Sequence, residues 1–249
     1  MIKVKEIINY LDCVFPINTA CDFDNVGLLV GDENSETNSV VVALDCDVNT
    51  FDFAIQNGAN LIITHHPVIF DPLKSVKEND IVFLLIKNGI SVISMHTNLD
   101  VGDGGVNDTL CEYLGLTEIK PYTTVDGYLL KYGRTDKHSA DEFALHIKNN
   151  LGGFVRYVAG KTPINTVLVC SGSGGSYLDE AIVGGFDAYV TADVKQNHFI
   201  SAINAGISLF DGGHFSTENI IVEPLCKRLK AEFPNTAFTA YMPDSIKTV

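Results

Sequence analysis

The sequence predicts an α/β protein made of two similar α/β halves with mixed, largely parallel sheets. Three observations carry this reading. Short apolar runs alternate with segments of helical period, the pattern of βα units on a largely parallel sheet. The runs repeat in order, because the ends of two successive strand candidates lie 19 residues apart at Asp45 and Thr64, and 20 apart at Ser171 and Thr191. The third strand of each set then runs into a histidine followed four positions later by a carboxylate, "HTNLD" in the first half and "HFSTE" in the second.

Taken in order, the opening stretch "MIKVKEIINYLDCVFP" resembles a signal peptide only superficially, since Asn9 and Asp12 interrupt its apolar residues. It reads as an amphipathic helix with Val4, Ile7, Ile8, Leu11 and Phe15 on one face. The following "DNVGLLVGD" reads as a turn and a strand with no chemistry of its own. The first-half strands are "VVVALD" (40–45), "ANLIIT" (59–64) and "ISVISM" (90–95), with helices at 49–57 and about 79–88. Compared with the second half, the first carries about nine extra residues, roughly "PVIFDPLKS", read as a surface or site-covering loop.

A boundary falls near 115–126, where "LTEIKPYTTVDG" mixes turn formers with threonine, so the expected domains are 1–120 and 121–249. Beyond it, "GYLLKYGR" (127–134) reads as a strand and 139–151 as a helix. Ser139 suits that helix's N-cap, with Asp141 and Glu142 in the first turn and Gly152 and Gly153 as the stop. After "FVRYVAG" (154–160), the second set of strands is "NTVLVC" (165–170), "DAYVTA" (187–192) and "GISLFD" (206–211), with helices at about 176–184 and 197–204. A last helix over 217–232 places Ile221, Leu225 and Leu229 on one face.

Composition narrows the function. With 249 residues, 46% hydrophobic and 19% charged, the chain is globular, and no segment is poor enough in apolar residues to read as disordered. A net charge of -14 without a Lys/Arg cluster argues against nucleic acid or an anionic membrane surface as partner. The apolar runs fall far short of the roughly 20 residues that span a bilayer. Six widely spaced cysteines with no CxxC pair read as reduced core residues of a cytoplasmic protein rather than as metal ligands or nucleophiles.

His65, His66, His96, Asp100, His214 and Glu218 all fall just after predicted strand ends. In open α/β sheets that edge is where ligands bind. Four imidazoles and two carboxylates suit zinc, manganese, iron or nickel, and six donors are too many for one ion but about right for two. A histidine and a carboxylate four residues apart converge from a helical turn onto one centre. One such motif is commonplace; two in register with each other and with a His-His pair point to metal. Pro67 disfavours a helical conformation at His66, which lets the two adjacent imidazoles diverge toward two ions. His138 and His146 read as ordinary surface residues, and His198 as either functional or an ordinary helix residue. "CSGSGGSYLDEA" reads equally as a tight strand-to-helix turn or as a backbone cradle for a phosphate, although it lacks the Lys-Ser/Thr of a P-loop.

Through "DFDNVGLLVGD", "GANLIITHHPVIF", "MHTNLD", "CSGSGGSYLDEA", "AYVTADVKQNH" and "DGGHFSTE", nearly the whole chain resembles the Nif-three-like dinuclear-metal proteins, the GTP cyclohydrolase 1 type 2 homologues. The resemblance implies that His65, His66, Asp100, His214 and Glu218 bind two divalent ions per subunit, with Glu218 as the bridge. His96 would stand beside them as a catalytic proton-transfer group. It further implies a homohexamer with its metal sites facing an internal cavity, and hydrolysis of the guanine imidazole ring of GTP with release of formate. The same ligands would also serve a two-metal hydrolase of another nucleotide or phosphoester, or a non-catalytic metal-binding scaffold or regulatory protein. A triphosphate would need local cations, with Lys131, Arg134, Arg156, Lys161 and Lys195 as candidates.

Overall fold

A computed structural model describes residues 1–243, which form two compact units: 1–103 with 221–243, and 104–220. The sequence boundary near 115–126 divides the chain once, whereas the contacts divide it twice, because 221–243 returns to the first unit. The end of the expected second half, 244–249, lies outside the described residues.

In the first unit, Ser39–Ala43, Leu61–Thr64 and Ser91–Ser94 run parallel and adjacent in chain order. Ala237–Tyr241, a strand the sequence reading did not include, adds parallel outside the first of them, and Gly27–Val30 adds antiparallel beyond the last. Leu61–Thr64 and Ser91–Ser94 are buried throughout, which is why they read as apolar runs rather than alternating patterns. Val41, Ile62 and Val92 pack against Phe51 and Ala54 of the helix Val48–Gln56 and Val82 and Leu85 of the helix Ile81–Lys87. Each large apolar side chain so buried contributes about 1.5–3 kcal/mol. Asp47 starts the first of these helices by accepting from Thr50 N at 2.8 Å. Of the stripe expected from its spacing, the N-terminal helix Val4–Val14 buries Val4, Ile7 and Leu11, Phe15 is buried at its C-cap, and Ile8 is half-buried.

The second unit holds a six-stranded sheet in the order Thr117–Thr123, Leu129–His138, Ile164–Val169, Ala188–Thr191, Ser208–Asp211, Arg156–Val158. Its three parallel strands, 164–169, 188–191 and 208–211, are again adjacent in chain order, and the flanking pairings are antiparallel. Thr117–Thr123 occupies the stretch expected as an irregular boundary. It tolerates Pro121 because it is an edge strand, and its register slips between Thr117 and Lys120, where Glu118 takes φ 52°. Ser139 and Glu142 form the expected capping box of the helix Ala140–Leu151.

The final helix expected over 217–232 is interrupted. It comprises His214–Glu218, a 3-10 turn at Asn219–Ile221, and Val222–Glu232. Pro224 accounts for the break, since in a continuous helix its ring would clash with the carbonyl four residues back. In both units the pairing register brings the ends of the parallel strands level: Ala43 with Thr64 and Thr64 with Ser94 in one, Val169 with Val190 and Thr191 with Asp211 in the other. Each third strand is followed by a five-residue helix, Thr97–Val101 or His214–Glu218. Among the described residues no helix is long and apolar enough to cross a membrane.

Candidate metal centre

In the first unit, the chain past Leu61–Thr64 stays with its neighbour for two more residues, His65 N donating to Ala43 O at 3.3 Å and His66 N to Leu44 O at 2.9 Å. Thr64 Oγ1 donates to His66 O at 2.8 Å, which curls the backbone ahead of Pro67 and ends the pleat. The two rings therefore do not point to opposite faces; their centroids are 5.0 Å apart and their planes 38° from parallel. His96, the residue before the helix Thr97–Val101, brings its ring to 5.1 Å from His65 and 5.7 Å from His66. The three imidazoles each offer a ring nitrogen within 4.8 Å of the others.

Every one of these rings is oriented by an oxygen on its Nδ1. His65 Nδ1 donates to Met95 O at 2.9 Å, His66 Nδ1 to Asp45 Oδ1 at 2.7 Å, and His96 Nδ1 to Asp24 Oδ1 at 2.9 Å. A carbonyl or carboxylate oxygen only accepts, so each neutral ring keeps its proton on Nδ1 and its lone pair on Nε2. That is the arrangement by which proteins present imidazole to a metal. Asp100 is buried, with its carboxylate 3.5 Å from His65 Nε2.

Asp24 also accepts from Thr97 N at 2.9 Å and Thr97 Oγ1 at 2.5 Å, and its side chain is closed off from solvent. Burial pushes its pKa up, but the bonds from His96 and Thr97 outweigh that and hold it well below the usual carboxylate range. It belongs to "DFDNVG", a segment that by composition is only a turn leading into a strand.

In the second unit His214 opens its helix and Glu218 lies one turn on, so His214 Nε2 stands 2.9 Å from Glu218 Oε2. His214 Nδ1 donates to Asp193 Oδ2 at 2.6 Å, from a residue at φ 51°. Burial alone would lower the His214 pKa, but Glu218 and Asp193 raise it from 6.5 to about 9. An ion taken up at Nε2 would replace that proton. Glu218 is buried against the glycine turn: Gly172 sits at φ 59°, and a Cβ there would collide with the Glu218 carboxylate. Gly172 N donates to Thr217 Oγ1 at 3.2 Å, tying turn to helix. The turn thus serves close approach of Glu218 to backbone, and the helix after it, Leu178–Val183, is too short to supply the phosphate cradle weighed from sequence.

The donors fit divalent ions. Imidazoles with preset tautomers stand beside buried carboxylates, while burial pushes the Cys46 thiol up to about 12, so it stays protonated. Cys111, Cys170 and Cys226 are buried, as the core reading expects, whereas Cys13 is exposed and Cys21 and Cys46 are half-buried, and no disulfide joins any of the six. His65, His66, His96 and Asp100 gather within the first unit, and His214 and Glu218 within the second. His146 donates to Leu114 O at 2.9 Å and stacks with His138, which gives both structural roles. His198 packs against Gly175 and belongs to no metal-binding group found among the described residues. Three of the five candidate phosphate cations are committed to carboxylates: Lys131 to Asp108, Arg134 to Glu118 and Arg156 to Asp211. Sequence reasoning missed the orienting acceptors Asp24, Asp45 and Asp193. Asp45 alone had a signal, as the polar end of an apolar strand.

Residues 2–246 match the family model described as Duf34/NIF3 (NGG1p interacting factor 3). A Clostridium acetobutylicum protein named GTP cyclohydrolase 1 type 2 homolog is 30% identical over 249 residues, covering 92% of this chain and 90% of its own. A Campylobacter jejuni protein of the same name is 33% identical over 242 residues, covering 92% of each. Among solved structures, a Staphylococcus aureus hypothetical protein superposes with a TM-score of 0.91 at 31% identity over 99% of both chains. The reduced form of HcgD from Methanocaldococcus jannaschii gives 0.84 at 28% identity, covering 96% of this chain and 97% of that one.

Proposed function

Since the chain belongs to the Duf34/NIF3 family, we propose that it is a dinuclear divalent-metal-dependent hydrolase that opens the imidazole ring of GTP and releases formate. His65, His66, Asp100, His214 and Glu218 would hold the divalent ions, which zinc, manganese, iron or nickel would suit. The observation that carries the reading is the uniform second contact: His65, His66, His96 and His214 each give Nδ1 to an oxygen, which leaves Nε2 as the atom an ion would take. Rings that merely filled space would have no reason to share one orienting contact.

Bound divalent ions would supply Lewis acidity and lower the pKa of water at the site. His96 is assigned the proton traffic. Its Nε2 takes a proton, and ionised Asp24 on Nδ1 stabilises the imidazolium that results without itself being protonated. Asp45 and Asp193 fix the orientations of His66 and His214 and raise the basicity of the donor nitrogens. The reading extends to a cytoplasmic homohexamer, to be checked by light scattering of the native protein.

The test is to load the protein with manganese, zinc or iron, add GTP, and assay formate together with pterin fluorescence. Product that vanishes in both His65→Ala and Glu218→Ala supports the reading. Turnover of a generic phosphodiester with no formate under any metal would reassign the site to phosphoester hydrolysis. Stoichiometric metal with neither activity would leave a metal-binding scaffold.

A further inference from the structure

The segment 67–80, between Leu61–Thr64 and Ile81–Lys87, contains no helix or strand, yet it is anchored. Val68 and Ile69 pack on the first unit's core, and Ile69 O accepts from Asn25 Nδ2 at 2.6 Å. The next residue, Phe70, is 47% exposed and stands nearly perpendicular to His96, with ring centroids 6.2 Å apart. Phe23, 67% exposed, contacts Phe70 at 6.4 Å between centroids.

Three consecutive residues thus serve one corner. Phe23 supplies an aromatic ring, Asp24 holds His96, and Asn25 fixes the backbone that displays Phe70. Two phenylalanines held in the open by a buried carboxylate's neighbours, against a ring of the histidine cluster, do not serve the core. An aromatic face binds planar rings by stacking whatever their edge substituents are, so orientation at the histidine cluster would come from the ring and chemistry from the donors.

We propose that Phe23 and Phe70 form an aromatic platform that takes the planar heteroaromatic ring of the substrate and holds it beside His65, His66 and His96. This deepens the hydrolase reading and rests on it for the identity of the ring as a purine.

The test uses the full-length metal-loaded protein and its variants Phe23→Ala, Phe70→Ala and Phe70→Tyr, with metal content measured in each. The probe is 2-aminopurine riboside, whose fluorescence is quenched on stacking; ribose 5-phosphate is the non-aromatic control. Each alanine variant is expected to weaken riboside binding on the order of 10-fold, with Phe70→Tyr close to the parent and a rise in KM for GTP larger than the fall in kcat. Riboside binding that is undetectable in the parent, matched by ribose 5-phosphate, or unchanged in both alanine variants overturns the platform. A changed oligomeric state with unchanged riboside affinity also overturns it and makes the face a subunit contact. If the parent binds the riboside through these rings but releases no formate from GTP, the platform stands and the hydrolase reading falls. Should Phe70→Ala fail to fold, Phe23→Ala, which removes no contact with His96, decides the matter.

Discussion

The two units place a histidine and a carboxylate four residues apart at the same point of the same three-strand parallel arrangement, yet wire them differently. In the second unit His214 and Glu218 face each other across one helical turn at 2.9 Å. In the first, Asp100 lies beside His65 of the preceding strand, and His96 turns to Asp24. The cause is local. His214 is the first residue inside its helix, after Gly213 at φ 82°, while His96 sits one position earlier, at the non-helical cap. A one-residue shift relative to the helix start rotates the ring away from its carboxylate. The first unit then fills the middle position with the His65-His66 pair, where the second has Ala192 and Asp193, and Asp193 serves as an orienting acceptor. Equal spacing in sequence therefore marks where donors emerge, not which donors meet.

The largest expected way to break this symmetry is to remove the orienting carboxylates one at a time. Asp24→Asn, Asp45→Asn and Asp193→Asn should each lower activity about 10–100-fold, measured as formate release from GTP, and only the last two, which orient proposed ligands, should also weaken metal binding in chelator competition. Asp24→Asn should cost most, because the Asp24 side chain is buried while those of Asp45 and Asp193 are 56% and 53% exposed. Equal losses at all three would mean that burial of the acceptor does not set its influence.

A smaller effect compares glycines. Gly172→Ala adds both left-handed backbone strain and a collision with Glu218, and should lower stability by about 1–3 kcal/mol, read from denaturant midpoints. Gly89→Ala in the first unit, at φ 66° with nothing near its Cβ, bears the backbone cost alone, about 1 kcal/mol. Only the first should also reduce metal content.

The smallest expected effect is on pH dependence. Asp187 is desolvated on folding, but Thr166 N and Oγ1 and Asn165 N bond it and hold its pKa below the ordinary value. Its contribution is fully present above the unfolded value of about 3.9 and is lost as pH falls through the lower folded value. Acid should thus weaken the second unit below about pH 4, and Asp187→Asn should flatten that part of the stability profile.

The fold class, the repeat and the positions of six candidate donors at strand ends were legible because each has a local signature. Buried parallel strands read as apolar runs, and their ends are marked by "THHP", "HTNLD" and "HFSTE". The strand Thr117–Thr123 was not legible, since Pro121 and the threonines read as turn formers and its pairing with Leu129–His138 sets its state. Nor was Ala237–Tyr241, whose partner Ser39–Ala43 is distant along the chain. The gap is sharpest around the histidines. Sequence determined by itself that imidazoles and carboxylates leave one edge of each sheet, because strand ends and spacing are properties of neighbouring residues. Tertiary structure alone decided that Asp24 meets His96 across 72 positions, that Phe70 stands open beside His96, and, in the other unit, that Gly172 admits Glu218. Hydrogen-bond partners and ring contacts are set by where distant segments pack, and carboxylates and glycines are too common for spacing to single out the few that do so.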